Sequence, residues 1–229
     1  MYKKTLLTLT VLALASLTAF AADKNGAYTS VDGLKTYTAP VKVINPSVPA
    51  GKDPVIFSNL ANKYPKGVYF CCEGGTIAGA TSIIGEEIWD AVAFTPASNS
   101  HVKTLKFAIS YVYGTYTDVI ISLNADCSGV PCSTPLKHWK ETLMTQTFGG
   151  CCALEVISNK NVSLTAGTQY WIVASTEAAS DIWAAWNVEV SDQVDLGNIA
   201  QCVNCSSGGT WSGYQTNLGY SLQAGGTVP

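Results

Sequence analysis

From Val55 onward the apolar residues come in short runs, many of them alternating with polar ones, and clusters of Gly, Pro, Asn, Asp and Ser separate the runs. Runs of this length and spacing predict strands, and a chain built of them predicts an all-β sandwich. The expected strands are Val55 to Ser58, Val68 to Cys71, Ile88 to Thr95, Val102 to Tyr113, Asp118 to Asn124 and Ala153 to Ile157. Two more, Thr168 to Ser175 and Trp183 to Val190, flank a polar break at Glu177 to Asp181. Alternation is clearest from Thr104 to Tyr113, where Leu105, Phe107, Ile109 and Tyr111 share one face and Lys106, Ala108 and Ser110 the other. The same period sets Tyr170, Ile172 and Ala174 on a core face, opposite Trp171, Val173 and Ser175. Leu136 to Met144 reads as strand or loop, and Tyr220 with Leu222 suits a closing strand. The expected architecture is a two-sheet antiparallel sandwich with jelly-roll or Greek-key connections.

Upstream the pattern is different. Lys3 and Lys4, an apolar run from Leu6 to Leu17, and Ala19-Phe20-Ala21 are the parts of a secretory signal peptide with a cut after Ala21. The apolar run is shorter than the roughly 20 residues a membrane span requires, so no span is expected. Residues 22–53 read as an extended leader, broken by Pro40, Pro46 and Pro49, that adds at most one edge strand around Val41 to Ile44. Residues 54–229 then form one sandwich domain whose last portion is rich in Gly and Ser. The polar ending, Ala224 to Pro229, offers no apolar tail, and release into the periplasm or medium is the expected outcome.

Charge narrows the partners. The formal net charge is −3, becomes more negative when Lys3 and Lys4 leave with the signal, and the chain contains no arginine. Nucleic-acid binding leans on clustered Lys and Arg, and bidentate phosphate or carboxylate capture leans on Arg, so both partner classes are disfavoured and neutral ligands gain.

The eight cysteines of a secreted chain are expected to be oxidised. Cys127 and Cys132 flank a Ser-Gly-Val-Pro turn and predict a local bridge, and Cys202 with Cys205 can close a smaller loop. The doublets Cys71-Cys72 and Cys151-Cys152 leave vicinal rings and doublet-to-doublet bridges both open. Cys202-Val-Asn-Cys205 has redox spacing but is followed by Ser-Ser-Gly-Gly, not by the helix such a motif opens, and structural bridging is preferred over redox or zinc chemistry.

Catalytic patterns are sparse. His101 and His138 are the only histidines, and no Gly-x-Ser-x-Gly elbow is present. Glu86 and Glu87 diverge on a strand and read as a solvated turn; a secreted hydrolase using Glu86, Asp126 or His138 is the least supported reading. No metal-ligand spacing is found, although Asp90, Asp118 and Asp126 are candidate oxygen ligands for a structural calcium, with turn capping as the ordinary alternative. Aromatics offer more: 6 Trp and 11 Tyr against 6 Phe favour rings with a polar handle. Trp171, Trp183, Trp186, Tyr113 and Tyr116 are the candidates for a platform that stacks on sugar rings, weighed against rings that simply cover sheet faces. Three functions are therefore expected in descending order: a carbohydrate or cell-surface binding module, a structural or adhesive protein acting through protein contacts, and a hydrolase.

The order IFSNL (Ile56 to Leu60), AVAFTP (Ala91 to Pro96), SLNADCSGVP (Ser122 to Pro131), VSLTAGTQYWIVA (Val162 to Ala174) and WAAWN (Trp183 to Asn187) resembles bacterial secreted β-sandwich domains of the choice-of-anchor type, over roughly Val55 to Val190. The resemblance implies a secreted, non-catalytic domain and supplies no catalytic residues. The sorting segment with which such proteins usually end is not seen here.

Overall fold

The computed structural model of the chain describes residues 27–31, 33–38, 42–43, 53–60, 69–70, 73–142, 148, 150–151, 155–157, 161–188, 198–215 and 219–228. In chain order its strands are β1 (Ala27–Val31), β2 (Leu34–Thr38), β3 (Lys42–Val43), β4 (Val55–Ser58), β5 (Glu73–Ala78), β6 (Ile88–Phe94), β7 (Ser100–Phe107), β8 (Ile109–Tyr113) and β9 (Asp118–Asp126). They continue as β10 (Pro131–Thr142), β11 (Gly150–Cys151), β12 (Glu155–Ile157), β13 (Val162–Leu164), β14 (Tyr170–Ser175), β15 (Trp183–Asn187), β16 (Asn198–Val203), β17 (Trp211–Gln215) and β18 (Leu222–Thr227). The helical element among the described residues is one 3-10 turn at Cys205–Ser207, and no helix there is long and apolar enough to cross a membrane.

Two antiparallel layers result. The first runs β17-β16-β6-β14-β9-β10. The second is organised on β7 and β8, which follow each other with only Ala108 between. Along one side of this long strand lie β18 and then β15; β4 and β5 pair on their far sides, and β2 and β1 extend the sheet beyond β5. β12 and β13 line the other side of β7. A single pair, Ala78 with Ile88, joins the layers at a corner. The chain alternates between layers, from β6 to β7, β8 to β9, β13 to β14, β14 to β15 and β17 to β18, which is the jelly-roll manner of connection.

The alternation read from the sequence is what fills the gap between the layers. Val92, Phe94, Val119, Ile121, Leu123, Tyr170 and Ile172 from the first layer meet Leu105, Phe107, Ile109, Ala184, Trp186 and Leu222 from the second. Tyr111 is half-buried against the same core. β7 pairs Thr104 with Gly225 but Val102 with Gly226, so Lys103 is an extra residue, and this bulge lets Val102 and Leu105 both point inward. β14 is buried along its whole length between β6 and β9, which is why its sequence is apolar on both faces.

Some elements differ from expectation. β5, β16 and β17 fall where no strand was expected. The stretch expected as a strand at Val68 to Cys71 is described only at Tyr69 and Phe70, which are not in a strand. Leu136 to Met144 belongs, as far as Thr142, to the twelve-residue β10. Within the segment read as a leader, β1 and β2 form a hairpin that pairs with β5, and Tyr37 is buried against Trp183 and Phe148. β3 makes a short parallel ladder with β11. Bridges Cys127–Cys132 and Cys202–Cys205 are both formed. The signal segment, Cys71, Cys72 and Cys152 lie outside the described residues, as does the side chain of Cys151.

Candidate functional site

The three candidate tryptophans are internal. Relative exposures are 1% for Trp171, 2% for Trp183 and 0% for Trp186. Trp186 points between the layers, stacks on Tyr220 with ring centroids 5.4 Å apart, and donates its Nε1 proton to the Ser221 carbonyl at 3.0 Å. Trp183 faces the opposite way, as the odd spacing requires, yet is also buried, because Tyr37 of the N-terminal hairpin covers it edge-on at 4.6 Å. Trp171 lies on the outer face of the first layer, on a floor of small side chains, Ala91, Ala93 and Ala200, with Trp211 packed alongside. Its Nε1 donates to Asp126 Oδ1 at 2.7 Å. None of these rings presents a face to a ligand. The sequence pattern shows which sheet face a ring takes, but not whether that face is itself covered.

Tyr113 and Tyr116 are the exposed pair, at 52% and 42%. They flank the β8–β9 loop at the rim of the sandwich, and the loop is held from below. Gly114 adopts a positive φ of 123°, and a Cβ there would come within 2.6 Å of the Asp181 carbonyl, so only glycine lets the loop seat this closely. Tyr111 donates its hydroxyl proton to the Gly114 carbonyl. The Asp181 carboxylate then accepts from Thr115 N at 2.9 Å, Thr115 Oγ1 at 2.8 Å and Tyr116 N at 2.8 Å. These backbone donors, Tyr116 first and Thr115 next, hold the Asp181 carboxyl below its usual range. Burial raises the Tyr111 phenol, and the neighbouring charge of Asp181 adds to it.

The segment that carries Asp181 is fixed in turn. Thr81 N and Thr81 Oγ1 both donate to the Ser180 carbonyl, at 3.2 and 2.9 Å, and Gly79 N donates to the Ile182 carbonyl at 2.9 Å. At the start of β9, Lys140 bridges Asp118 at 2.7 Å and Glu177 at 3.0 Å, and these partners push its ammonium up to about 12. The rim therefore offers two exposed phenol rings on a backbone with little freedom left.

The remaining candidates are spread apart. Asp126 accepts from Trp171, Gln169 and Gly129; burial acts to raise its carboxyl, but these donors outweigh it and hold the group below its usual range. Glu86 pairs with Lys35 at 3.1 Å, and Glu87, expected in a solvated turn, is buried and accepts from Ser206 N at 2.8 Å, fixing the turn closed by Cys202–Cys205. Glu86 precedes one end of β6 and Asp126 neighbours the other, a separation of about 20 Å at ~3.3 Å per residue, while His138 is exposed midway along β10. Asp118 and Asp126 close opposite ends of β9, roughly 25 Å apart by the same rise, and Asp90 lies inside the sandwich. Among the described residues, no three His, Cys, Asp or Glu side chains gather as metal ligands would.

Residue type alone singles out the two tyrosines in the sequence, but not the clamp that holds them. In the sequence Asp181 reads, like Glu86 and Glu87, as a solvated turn carboxylate within a polar break rather than as an acid/base group, and its partners are 65 and 66 positions away. No protein-family model, curated protein or solved structure matches the chain.

Proposed function

We propose that the protein is a secreted, non-catalytic module that binds neutral glycans, or a glycan-bearing cell surface, through Tyr113 and Tyr116. The observation that carries this reading is the pair of exposed rings on a loop clamped by Asp181. A ring on a fixed backbone loses little freedom when a sugar stacks on it, and its hydroxyl serves both as donor and as acceptor for sugar hydroxyls. The absence of arginine disfavours anionic ligands. A signal-like N-terminus and two formed disulfides support an oxidising, extracellular setting, and the resemblance of the sequence to choice-of-anchor sandwiches implies a secreted, non-catalytic domain.

Two rival readings have less behind them. For a structural or adhesive protein, the edge strand expected at Val41 to Ile44 is β3, already paired with β11, and strand addition at the long edge strand β10 is opposed by Pro135, Lys137 and Lys140, which are the residues that guard an edge. A hydrolase using Glu86, Asp126 or His138 has less support because the three lie apart, so that none of them has another of the set as a catalytic partner. The test is a glycan and polysaccharide screen on the mature, oxidised protein, with and without calcium. Tyr113→Ala and Tyr116→Ala are each expected to weaken a saturable interaction about tenfold or more while the thermal midpoint holds, as loss of one stacking ring would. Binding to no glycan, or full affinity in both variants, sinks the reading.

A further inference from the structure

Asp90 sits in β6 in phase with Val92 and Phe94, so its carboxyl points into the sandwich, where it is fully buried. Its Oδ1 accepts from Gln201 Nε2 at 2.8 Å, and Gln201 is its direct partner across the β6–β16 ladder. The Gln201 amide also reaches the N-terminal hairpin. Its Oε1 accepts from Lys35 N at 2.9 Å, and its Nε2 donates to the Lys35 carbonyl at 3.3 Å, so one side chain bonds β2 as a neighbouring strand would. The other carboxyl oxygen, Oδ2, lies with the Tyr220 hydroxyl against Gly75 of β5, where a Cβ would collide with both. Neither oxygen bonds any further described group. Just beyond, β2 is joined to β5 by three residue pairs, Thr36 with Gly75, Tyr37 with Gly74 and Thr38 with Glu73.

We infer that Asp90, Gln201 and Tyr220 form a proton-dependent latch for the β1–β2 hairpin, which neutral Asp90 keeps docked and loss of the Asp90 proton releases. The physical ground is the cost of a buried carboxylate that no cation among the described residues offsets. Lys35, on the hairpin, is paired with Glu86; Glu73 opens β5, Tyr214 of β17 packs at the hairpin turn by Gly33, and β16 contributes only the neutral Gln201. Burial accordingly pushes the Asp90 carboxyl well above its usual range, against the opposing pull of its hydrogen bond from Gln201 and of the neighbouring Tyr220 hydroxyl. Tyr220 is also pushed well above its usual value, by burial and then by Asp90, so the carboxyl titrates first. To ionise, Asp90 has to regain water, and the hairpin is the element beside it with the fewest ladder pairs.

The sign follows from proton linkage. The docked state keeps a proton that the hydrated, undocked state gives up at the ordinary carboxylate pKa. The docked-to-undocked ratio therefore falls by up to about tenfold per pH unit between that value and the raised one, then levels off.

Hydrogen exchange of the full, oxidised chain from pH 5 to 9, expressed as protection against intrinsic rates, tests this. Protection at Leu34–Thr38 is expected to fall with rising pH while that of β14 stays level. Asp90→Asn, which keeps the shape and removes the charge, is expected to hold hairpin protection constant. Tyr220→Phe, which keeps the stack on Trp186 but removes a hydroxyl that favours the anion, is expected to move the fall to higher pH. Hairpin protection that is independent of pH in the unmodified protein overturns the inference. So does an Asp90→Asn profile with the same fall or, should that variant not fold, a Tyr220→Phe profile that does not move.

Discussion

At the scale of single residues, Trp171 separates two roles that its sequence position left together. On an open sheet face its ring would stack on a sugar. In the structure it spends its faces on Ala91, Ala93 and Val173 and its one polar atom on Asp126, so a change there acts on stability. Trp171→Phe retains most of the packing but takes a donor from a partly shielded carboxylate, a loss of about 1–3 kcal/mol. Trp171→Ala also leaves a cavity and is expected to cost about 3–5 kcal/mol. Urea titrations of the two variants should show that order, and glycan affinity per folded molecule should stay at the level of the parent. A Trp171→Ala protein with parental stability and no glycan binding would return the ring to the ligand site.

Between elements, the β8–β9 loop depends on a residue that is not part of it. Asp181 lies between β14 and β15, and through Thr115 and Tyr116 it decides where both exposed rings stand. Asp181→Ala should release the loop and lower glycan affinity about tenfold by removing preorganisation, with both tyrosines still present. A calorimetric titration would then show a larger unfavourable entropy of binding, and an unchanged affinity would mean that the rings need no clamp. The clamp also marks the limit of what the sequence makes legible. Leu105, Phe107 and Ile109, or Tyr170 and Ile172, declare their face locally, because a period of two and a buried side suffice. Glu73-Gly-Gly-Thr-Ile-Ala78 does not, since two glycines make a poor local strand signal; β5 tolerates Gly75 because Asp90 and Tyr220 arrive from distant positions to occupy the space of its missing side chain. Tyr113 and Tyr116 could be chosen by type, whereas the burial of Trp183 depends on Tyr37, which comes from a segment whose sequence reads as a leader. What is local was readable, and what needs two remote segments to meet was not.

For the whole molecule, the shifted carboxyl groups pull stability in opposite directions along the pH axis. Asp126 and Asp181 are held below the usual carboxylate value of 3.8, so the folded state releases their protons more readily than the unfolded chain does. Their contribution is present above pH 3.8 and is lost as pH falls through their lowered values. Asp90 is shifted the other way. Its burial carries no charge penalty below pH 3.8, and the penalty grows as pH rises from there toward its raised value. Lys140, lifted to about 12 by Asp118 and Glu177, keeps its charge throughout this range and loses it only in strong alkali. Stability should therefore peak at mildly acid pH and decline toward neutrality, with a slope of up to about 1.4 kcal/mol per pH unit while Asp90 alone differs in protonation between the two states. Urea midpoints between pH 2 and 9 measure the profile, and Asp90→Asn should erase the descending limb while keeping the acid one. If stability is level from pH 5 to 8 in the parent, or declines equally in the Asn variant, then Asp90 is not the group that sets it, and a carboxylate inside this sandwich would have to be ionised and solvated in a way its present surroundings do not provide.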